Sequence, residues 1–138
     1  MNFYIDSSVV LRVLRGQKDA WKDWGRWEKA YCSTLLRVEC RRFIDRMRLE
    51  NNWTDDDIAA AGTQLRKIER VFTKVRLSIA VMERASAPMP TIIKTLDAIH
   101  IATASLVRER LQPHLIFVTH DQQQAKAARA LGFECPET

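Results

Sequence analysis

Four acidic residues lie where an apolar segment ends or on an apolar helix face: Asp6, Glu39, Asp97 and Asp121. Asp6 directly follows the short apolar run at residues 1–5, and Asp121 comes three residues after the apolar run at 115–118. Both runs read as strands, and the carboxyl ends of parallel strands form the edge of a sheet where ligand and metal sites gather. We therefore expect Asp6 and Asp121 to lie at the same edge.

The other two acids lie on predicted helices. Glu39 lies between Leu35 and Phe43 on the apolar face of a helix that reaches about residue 50. Asp97 lies in the first turn of a helix that is apolar almost all round, and such a helix should be buried. Crowded carboxylates repel one another unless a cation compensates them, and all-oxygen ligands suit Mg²⁺ or Mn²⁺. Such an ion commonly takes a substrate phosphate as a further ligand, which favours phosphoryl chemistry.

Each acid also has a purely structural explanation. Asp6 and Asp121 could simply cap the helices that follow them. Glu39 could pair with Arg42 one turn further on, and Asp97 could be a first-turn acid that interacts with the helix dipole. All four together favour chemistry, because the predicted fold brings them towards one edge of the sheet.

Strand-like and helical segments alternate along the chain, which predicts an α/β fold with a mostly parallel sheet and helices on both faces. Further strands are expected at 30–32 and 133–135, and a half-exposed edge strand at 74–77. A helix is predicted over 18–28, where tryptophans recur every third residue. These tryptophans either pack against the core or form a groove for a partner.

The composition is that of a globular protein. The chain has 138 residues, 46% of them hydrophobic, and is expected to form one domain. It has no apolar run near the roughly 20 residues of a membrane span, and no secretory signal is recognisable. The three cysteines lack metal-ligand spacing and are expected to be reduced thiols in a cytoplasmic protein. The net charge of +5 is compatible with an RNA partner and equally with an ordinary soluble protein.

With the acids placed, the chain resembles the PIN-domain ribonucleases, and most closely the VapC toxins of bacterial toxin–antitoxin pairs. Three segments carry the resemblance, at residues 4–8, 95–104 and 118–121, and a weaker fourth lies at 36–39. Their order and spacing agree across nearly the whole chain. The resemblance implies a single PIN domain over residues 1–138, a three-layer sandwich with a mostly parallel central sheet.

The resemblance also implies roles for individual residues. The acidic cluster that holds Mg²⁺ or Mn²⁺ would consist of Asp6, Glu39, Asp97 and Asp121. Polar residues beside it would orient the acids: Ser7, Ser8 and Thr119. Candidate RNA contacts are the nearby basic residues Arg12, Arg15, Arg42 and Lys94. His100, one turn after Asp97, is expected to be a hydrogen-bonded structural residue rather than a metal ligand.

The implied reaction is endonucleolytic hydrolysis of RNA, with a VapB-like antitoxin covering the site and a homodimer as the assembly. Two alternatives remain open: a non-catalytic PIN module that binds RNA or a protein, and a housekeeping RNA-processing nuclease. An aspartyl phosphatase is disfavoured, because that family places a second aspartate two residues after the first and this chain has Ser8 there.

Overall fold

A computed structural model describes residues 1–16 and 18–138. Its strands are β1 (Asn2–Ile5), β2 (Lys29–Ser33), β3 (Thr73–Val75) and β4 (Ile116–Val118). They form one parallel sheet in the order β3-β2-β1-β4. The first strand of the chain is therefore an inner strand, with β2 on one side and β4 on the other.

The helices are α1 (Ser7–Arg15), α2 (Leu35–Glu50), α3 (Asp55–Val71), α4 (Ile79–Ser86), α5 (Thr95–Arg110) and α6 (Gln122–Ala130). The start of α3 is fixed by a capping box, in which the side chains of Thr54 and Asp57 each accept a hydrogen bond from the other's backbone. Each strand is followed by a helix that begins within four residues of the strand's end. The loops that lead from strands to helices thus gather at the carboxyl edge of the sheet, where ligand sites of such sheets commonly lie.

Alternate residues of β1 point to opposite faces of the sheet, and each face has its own core. Phe3 and Ile5 pack in a cluster with residues of α1, α2 and α3. Tyr4 packs in a second cluster with residues of α5 and α6, and α4 adds a third cluster against α5. Helices therefore cover both faces, which confirms the predicted α/β three-layer architecture.

The register of the sheet brings the ends of β1 and β4 together. The backbone N–H of Asp6 donates to the carbonyl oxygen of Val118 at 3.0 Å, which continues the ladder one residue beyond β1. Asp6 thus lies beside Thr119, although 113 residues separate them in sequence.

The predicted helix over 18–28 is wrong, because these residues form turns. Gly25 has φ of +87°, a conformation that an α-helix excludes. Trp21 packs edge-on against Phe3, with ring centroids 5.0 Å apart, and Trp24 and Trp27 both contact Phe72. Core packing of the tryptophans is thereby confirmed without the helix.

The chain beyond α6 also differs from expectation. Residues 133–135 make a single parallel bridge, between Glu134 and Ile116, and not a full strand. The predicted edge strand is present as β3 but is shorter, ending at Val75. No helix among the described residues has both the length and the apolar character needed to cross a membrane.

Candidate active site at the carboxyl edge of the sheet

Asp6 links β1 to α1, and the protein holds its side chain through one of the two carboxylate oxygens. It is 4% exposed and serves as the N-cap of α1. Oδ2 accepts hydrogen bonds from the backbone N–H of Ser8 at 3.2 Å and from the Ser8 hydroxyl at 2.6 Å. Thr119 Oγ1 lies 3.1 Å from the same oxygen and 2.8 Å from Gln124 Oε1, so its one proton serves two acceptors. Within the described residues, Oδ1 accepts no hydrogen bond.

Glu39 is held in the same manner from α2. Its Oε1 accepts hydrogen bonds from the hydroxyl of Ser7 at 2.8 Å and from Nε2 of His100 at 2.6 Å. Oε2 has no hydrogen-bond partner in the part of the chain that the structure describes. Glu39 does not pair with Arg42, which instead lies 3.4 Å from Asp45.

Asp121 is the N-cap of α6 and repeats the pattern. Its Oδ1 accepts from the backbone N–H groups of Gln123 and Gln124, at 2.9 and 3.1 Å. Its own N–H donates to Thr119 Oγ1 at 3.0 Å. Over residues 1–16 and 18–138, Oδ2 of Asp121 makes no hydrogen bond. Three carboxylates thus each have one oxygen fixed by the protein and the other available, an arrangement that suits monodentate ligands of a cation.

Asp97 is different, because its carboxylate accepts no hydrogen bond from any described residue. It lies half-buried in the first turn of α5. Burial, with the charges of Asp6 and Asp121, raises its pKa from 3.8 to about 6. The charge of Glu39 raises this pKa further, by less, so all four acids lie within electrostatic range of one another. Gln124, whose Nε2 lies 3.4 Å from the carbonyl oxygen of Asp97, bridges this residue to Thr119.

The four acids lie at the same edge of the sheet, but they do not form a preassembled metal site. Among the described residues, no group of three or more His, Cys, Asp or Glu side chains is arranged to hold a metal ion. The donor set nevertheless suits a hard divalent cation, because it offers available carboxylate oxygens and one carboxylate that its neighbours destabilise.

Two buried polar residues of this edge escaped sequence reasoning: Gln124 of α6 and Tyr4 of β1, both fully buried. His100 is also fully buried, and it is hydrogen-bonded as predicted. Gln124 could have been found, because it shares a helical face with the buried Ala127 and Ala128. The hydroxyl of Tyr4 gives no such signal, since its partner is 96 residues away.

Two grooves lead from the acids across α1 and α2. The first has a volume of about 390 Å³ and is lined by Arg12, Arg15, Arg46, His120 and Asp121 among others. The second, also of about 390 Å³, has the charged lining residues Glu39, Arg42, Arg46 and Glu50. Because Arg46 lines both, we call the pair the basic groove. Lys94 lies away from it, exposed at the N-cap of α5.

The arginines of the basic groove differ in how they are already engaged. Arg12 pairs with Asp19 at 3.2 Å, and Arg15 lies over the ring of Phe43 at 5.0 Å. Arg46 is exposed and makes no ion pair with any described residue. Arg46 can therefore bind an anion without breaking an existing ion pair.

The class of protein follows from this fold and site: the chain belongs to the PIN domain family, whose pattern matches residues 3–130. Its relatives include "Ribonuclease VapC47" of Mycobacterium tuberculosis, 26% identical over 94% of this chain and 92% of the relative. "Ribonuclease VapC35" of the same organism is 28% identical over 94% and 91%. The resemblance noted from the sequence is thereby confirmed.

Solved structures agree on the fold. A toxin–antitoxin complex from Klebsiella pneumoniae superposes with a TM-score of 0.64 at 18% identity, covering 94% of this chain and 92% of that one. VapBC2 from Rickettsia felis, bound to a promoter DNA fragment, gives 0.67 at 9% identity, covering 99% and 98%. The architecture is conserved far beyond the sequence.

Proposed function

We propose that the protein is an endoribonuclease that depends on Mg²⁺ or Mn²⁺ and hydrolyses RNA phosphodiester bonds. The relatives named as ribonucleases support the reaction class. The observation that carries the metal site is the shared arrangement of Asp6, Glu39 and Asp121, each held by one oxygen beside the destabilised carboxylate of Asp97.

The residues around the acids have distinct tasks in this proposal. Asp6 and Asp97 bind the ion, and Glu39 and Asp121 complete its shell or orient the attacking water. Ser8 and Thr119 keep Asp6 in one orientation, and Ser7 does the same for Glu39. When bound, the ion supplies charge stabilisation to the phosphate oxygens. Burial, followed by the charges of Asp6 and Asp121, raises the pKa of Asp97, and a bound cation would offset both by favouring the ionised carboxylate.

RNA approaches through the basic groove. Arg12, Arg15 and Arg46 line the part that contains Asp121, and Arg42 lines the part that contains Glu39. Their charges offset the repulsion between the acids and the RNA backbone. Lys94 is assigned a weaker role, at the start of the helix that carries Asp97. A single-stranded or looped substrate fits, because the phosphate must reach an edge that is recessed between helices.

We further propose that the protein is the toxin of a toxin–antitoxin pair, silenced by a VapB-like antitoxin, that it acts in the cytoplasm and that it forms a homodimer. The structural neighbours described as toxin–antitoxin assemblies support the antitoxin. Exposed apolar side chains support a protein–protein contact at α4 and the loop after it: Ile79, Met82 and Ile92. Met82 and Ile92 line the same groove, of about 470 Å³.

Cleavage of a labelled single-stranded RNA by the purified protein tests the function. We expect cutting in Mg²⁺ or Mn²⁺, none in EDTA, and recovery when the metal is restored. Asp6→Asn should lower cutting about 1000-fold, whereas Asp56→Asn, an equivalent change in the exposed first turn of α3, should have no effect. Calorimetry should show Mn²⁺ binding to the wild type and to Asp56→Asn.

Two results would contradict the proposal. Undiminished cutting by a folded Asp6→Asn variant would remove the acids from the reaction. RNA binding without any Mn²⁺ binding or cleavage would instead indicate a non-catalytic PIN module.

A further inference from the structure

A buried chain of hydrogen bonds reaches Glu39 from the far face of the sheet. Tyr4 of β1 and His100 of α5 are both fully buried, at 0% exposure. The Tyr4 hydroxyl lies 2.7 Å from His100 Nδ1, and His100 Nε2 lies 2.6 Å from Glu39 Oε1. Three elements that are distant in sequence are thus joined at one carboxylate oxygen.

The position of one proton in this chain is fixed by chemistry. An ionised carboxylate can only accept hydrogen bonds, so His100 Nε2 must donate to Glu39. Nε2 carries a proton in this geometry whether the ring is neutral or charged, so the bond does not depend on the charge of His100. The Tyr4 hydroxyl can donate to a neutral ring or accept from a charged one, and in both cases it fixes the ring plane.

Both donors to Glu39 bind the same carboxylate oxygen. Ser7 Oγ lies 2.8 Å from Oε1 and 3.4 Å from His100 Nε2, so the serine and the histidine donate to that oxygen side by side. His100 Nε2 also lies 3.7 Å from Asp6 Oδ1, so the ring stands between the two acids. The distance to Asp6 is too long for a hydrogen bond, so Glu39 is the acid whose orientation depends on the ring.

We propose that Tyr4 and His100 are positioning residues that hold Glu39 by Oε1 and so present Oε2 to the metal. This inference rests on the proposed function, because it assigns a task within the same site. His100 acts only through Glu39 and is not itself a ligand. A satisfied core histidine would need the same hydrogen bonds, so the distinction lies in what happens to metal affinity when they are removed.

The test measures Mn²⁺ affinity by calorimetry in matched variants. We expect His100→Leu to weaken Mn²⁺ binding about tenfold, the usual lower bound for the loss of a group that orients a ligand. His100→Gln, which can offer an amide donor in place of Nε2, should recover most of this loss. Tyr4→Phe should weaken binding by a smaller factor, about threefold, because the ring loses its restraint but keeps its donor.

Tyr31→Phe is the matched control for Tyr4→Phe. Tyr31 is a buried tyrosine on the neighbouring strand β2, and its hydroxyl accepts from Gln112 Nε2 at 3.0 Å, away from the acids. It should lose stability with no change in Mn²⁺ affinity. In a Glu39→Gln background, His100→Leu should cause no further loss of affinity, because its effect passes through Glu39.

Nitrogen NMR of the histidine ring gives a readout that needs no metal. It should show a protonated Nε2 in the wild type, and a ring nitrogen spectrum altered by Tyr4→Phe but not by Tyr31→Phe. An unprotonated Nε2, or wild-type Mn²⁺ affinity in a folded His100→Leu, would overturn the positioning role alone. A wild type that binds no Mn²⁺ would instead overturn the metal site on which that role depends.

Discussion

The two sides of the acidic site are built on opposite principles. On the strand side, Asp6 and Asp121 follow β1 and β4, and hydrogen bonds from Ser8, Thr119 and the first turn of α6 hold them. On the helix side, Asp97 projects from α5, and no described residue donates a hydrogen bond to its carboxylate. Glu39 also lies on a helix, but it is held by hydrogen bonds as the strand acids are, so the contrast concerns Asp97. The carboxylates of the strand side are oriented before anything binds, whereas burial and the charges of neighbouring acids disfavour the ionised form of Asp97.

The two sides therefore have different properties: the strand side fixes the orientation of its carboxylates, and the helix side favours the binding of a cation. The strand side fixes where ligand oxygens lie, since each acid also caps a helix and cannot turn away without losing that cap. The helix side keeps a carboxylate that is more stable when it is protonated or neutralised by a cation. A site needs the first property for geometry and the second for affinity.

The largest expected effect is a loss of cleavage rate, and it should be the same for both sides of the site. Asp6→Asn and Asp97→Asn should each lower the cleavage rate about 1000-fold, because a metal contributes several kcal/mol of charge stabilisation and each 1.36 kcal/mol is tenfold. Single-turnover cleavage at saturating Mg²⁺ measures this. A much smaller loss of cleavage rate for Asp97→Asn than for Asp6→Asn would show that Asp97 is not needed as a metal ligand.

Thr119→Val should affect the strand side alone. It removes a hydroxyl that bonds the Asp121 N–H and contacts both Asp6 and Gln124. We expect a loss of about 2 kcal/mol in the free energy of unfolding and of about tenfold in Mn²⁺ affinity. Urea denaturation and calorimetry measure the two quantities.

Thr54→Val is the control for that change. Like Thr119, Thr54 accepts a hydrogen bond from a backbone N–H at the start of a helix, but it lies at the N-cap of α3, away from the acids. It should leave Mn²⁺ affinity unchanged. Equal losses of affinity in both variants would show that the hydroxyl of Thr119 has no orienting role.

Asp97→Asn should stabilise the metal-free protein. This is the most direct test of the difference between the strand side and the helix side. A pKa raised from 3.8 to about 6 means that the folded state disfavours the ionised carboxylate. The wild type therefore loses stability as pH rises from about 4 through 6, and the penalty is complete above that range. Since Asp97 is half-exposed, we expect a gain of only about 1 kcal/mol at pH 7, shrinking towards zero near pH 4.

Urea denaturation in EDTA at several pH values measures this gain. Asp56→Asn provides the opposite sign, because it removes a first-turn acid from the favourable dipole of α3 and should cost up to about 0.5 kcal/mol. In Mg²⁺ the advantage of Asp97→Asn should disappear, since binding stabilises only the wild type. A destabilised Asp97→Asn variant in EDTA would refute the picture of a strained helix side.

The smallest expected effect concerns the basic groove, which lies beside the strand side. Arg46→Ala should weaken binding of a single-stranded RNA about threefold in EDTA and lower the salt dependence by roughly the contribution of one phosphate. Arg70→Ala, at an exposed arginine of α3, should change neither. Fluorescence anisotropy across a salt series distinguishes them, and identical slopes would remove Arg46 from the RNA path.

The sequence predicts the strand side better than the helix side. Asp6 follows an apolar run and precedes a helix, so local pattern alone places it at the edge of the sheet. The same holds for Asp121 after β4. The missing information is long-range, because the hydrogen bonds from Thr119 to Asp6 and from His100 to Glu39 span 113 and 61 residues. No local pattern specifies which oxygen a distant donor will bind.

The failed helix over 18–28 has a different cause. Tryptophans at every third position imitate an apolar helical stripe, but a series of turns can also bring them to one core. Gly25 argued against a helix, because glycine often marks a backbone conformation that helices do not allow. The regular spacing of the tryptophans outweighed the glycine in the prediction.

The position of β1 has a consequence for biosynthesis. The strand that precedes Asp6 pairs with β4, which is translated more than 100 residues later. Nascent chains shorter than this lack Thr119 and Asp121 altogether, so they can neither orient Asp6 nor supply the fourth acid. If these acids form the site of the proposed nuclease, we expect cleavage to begin only after β4 and α6 have been translated.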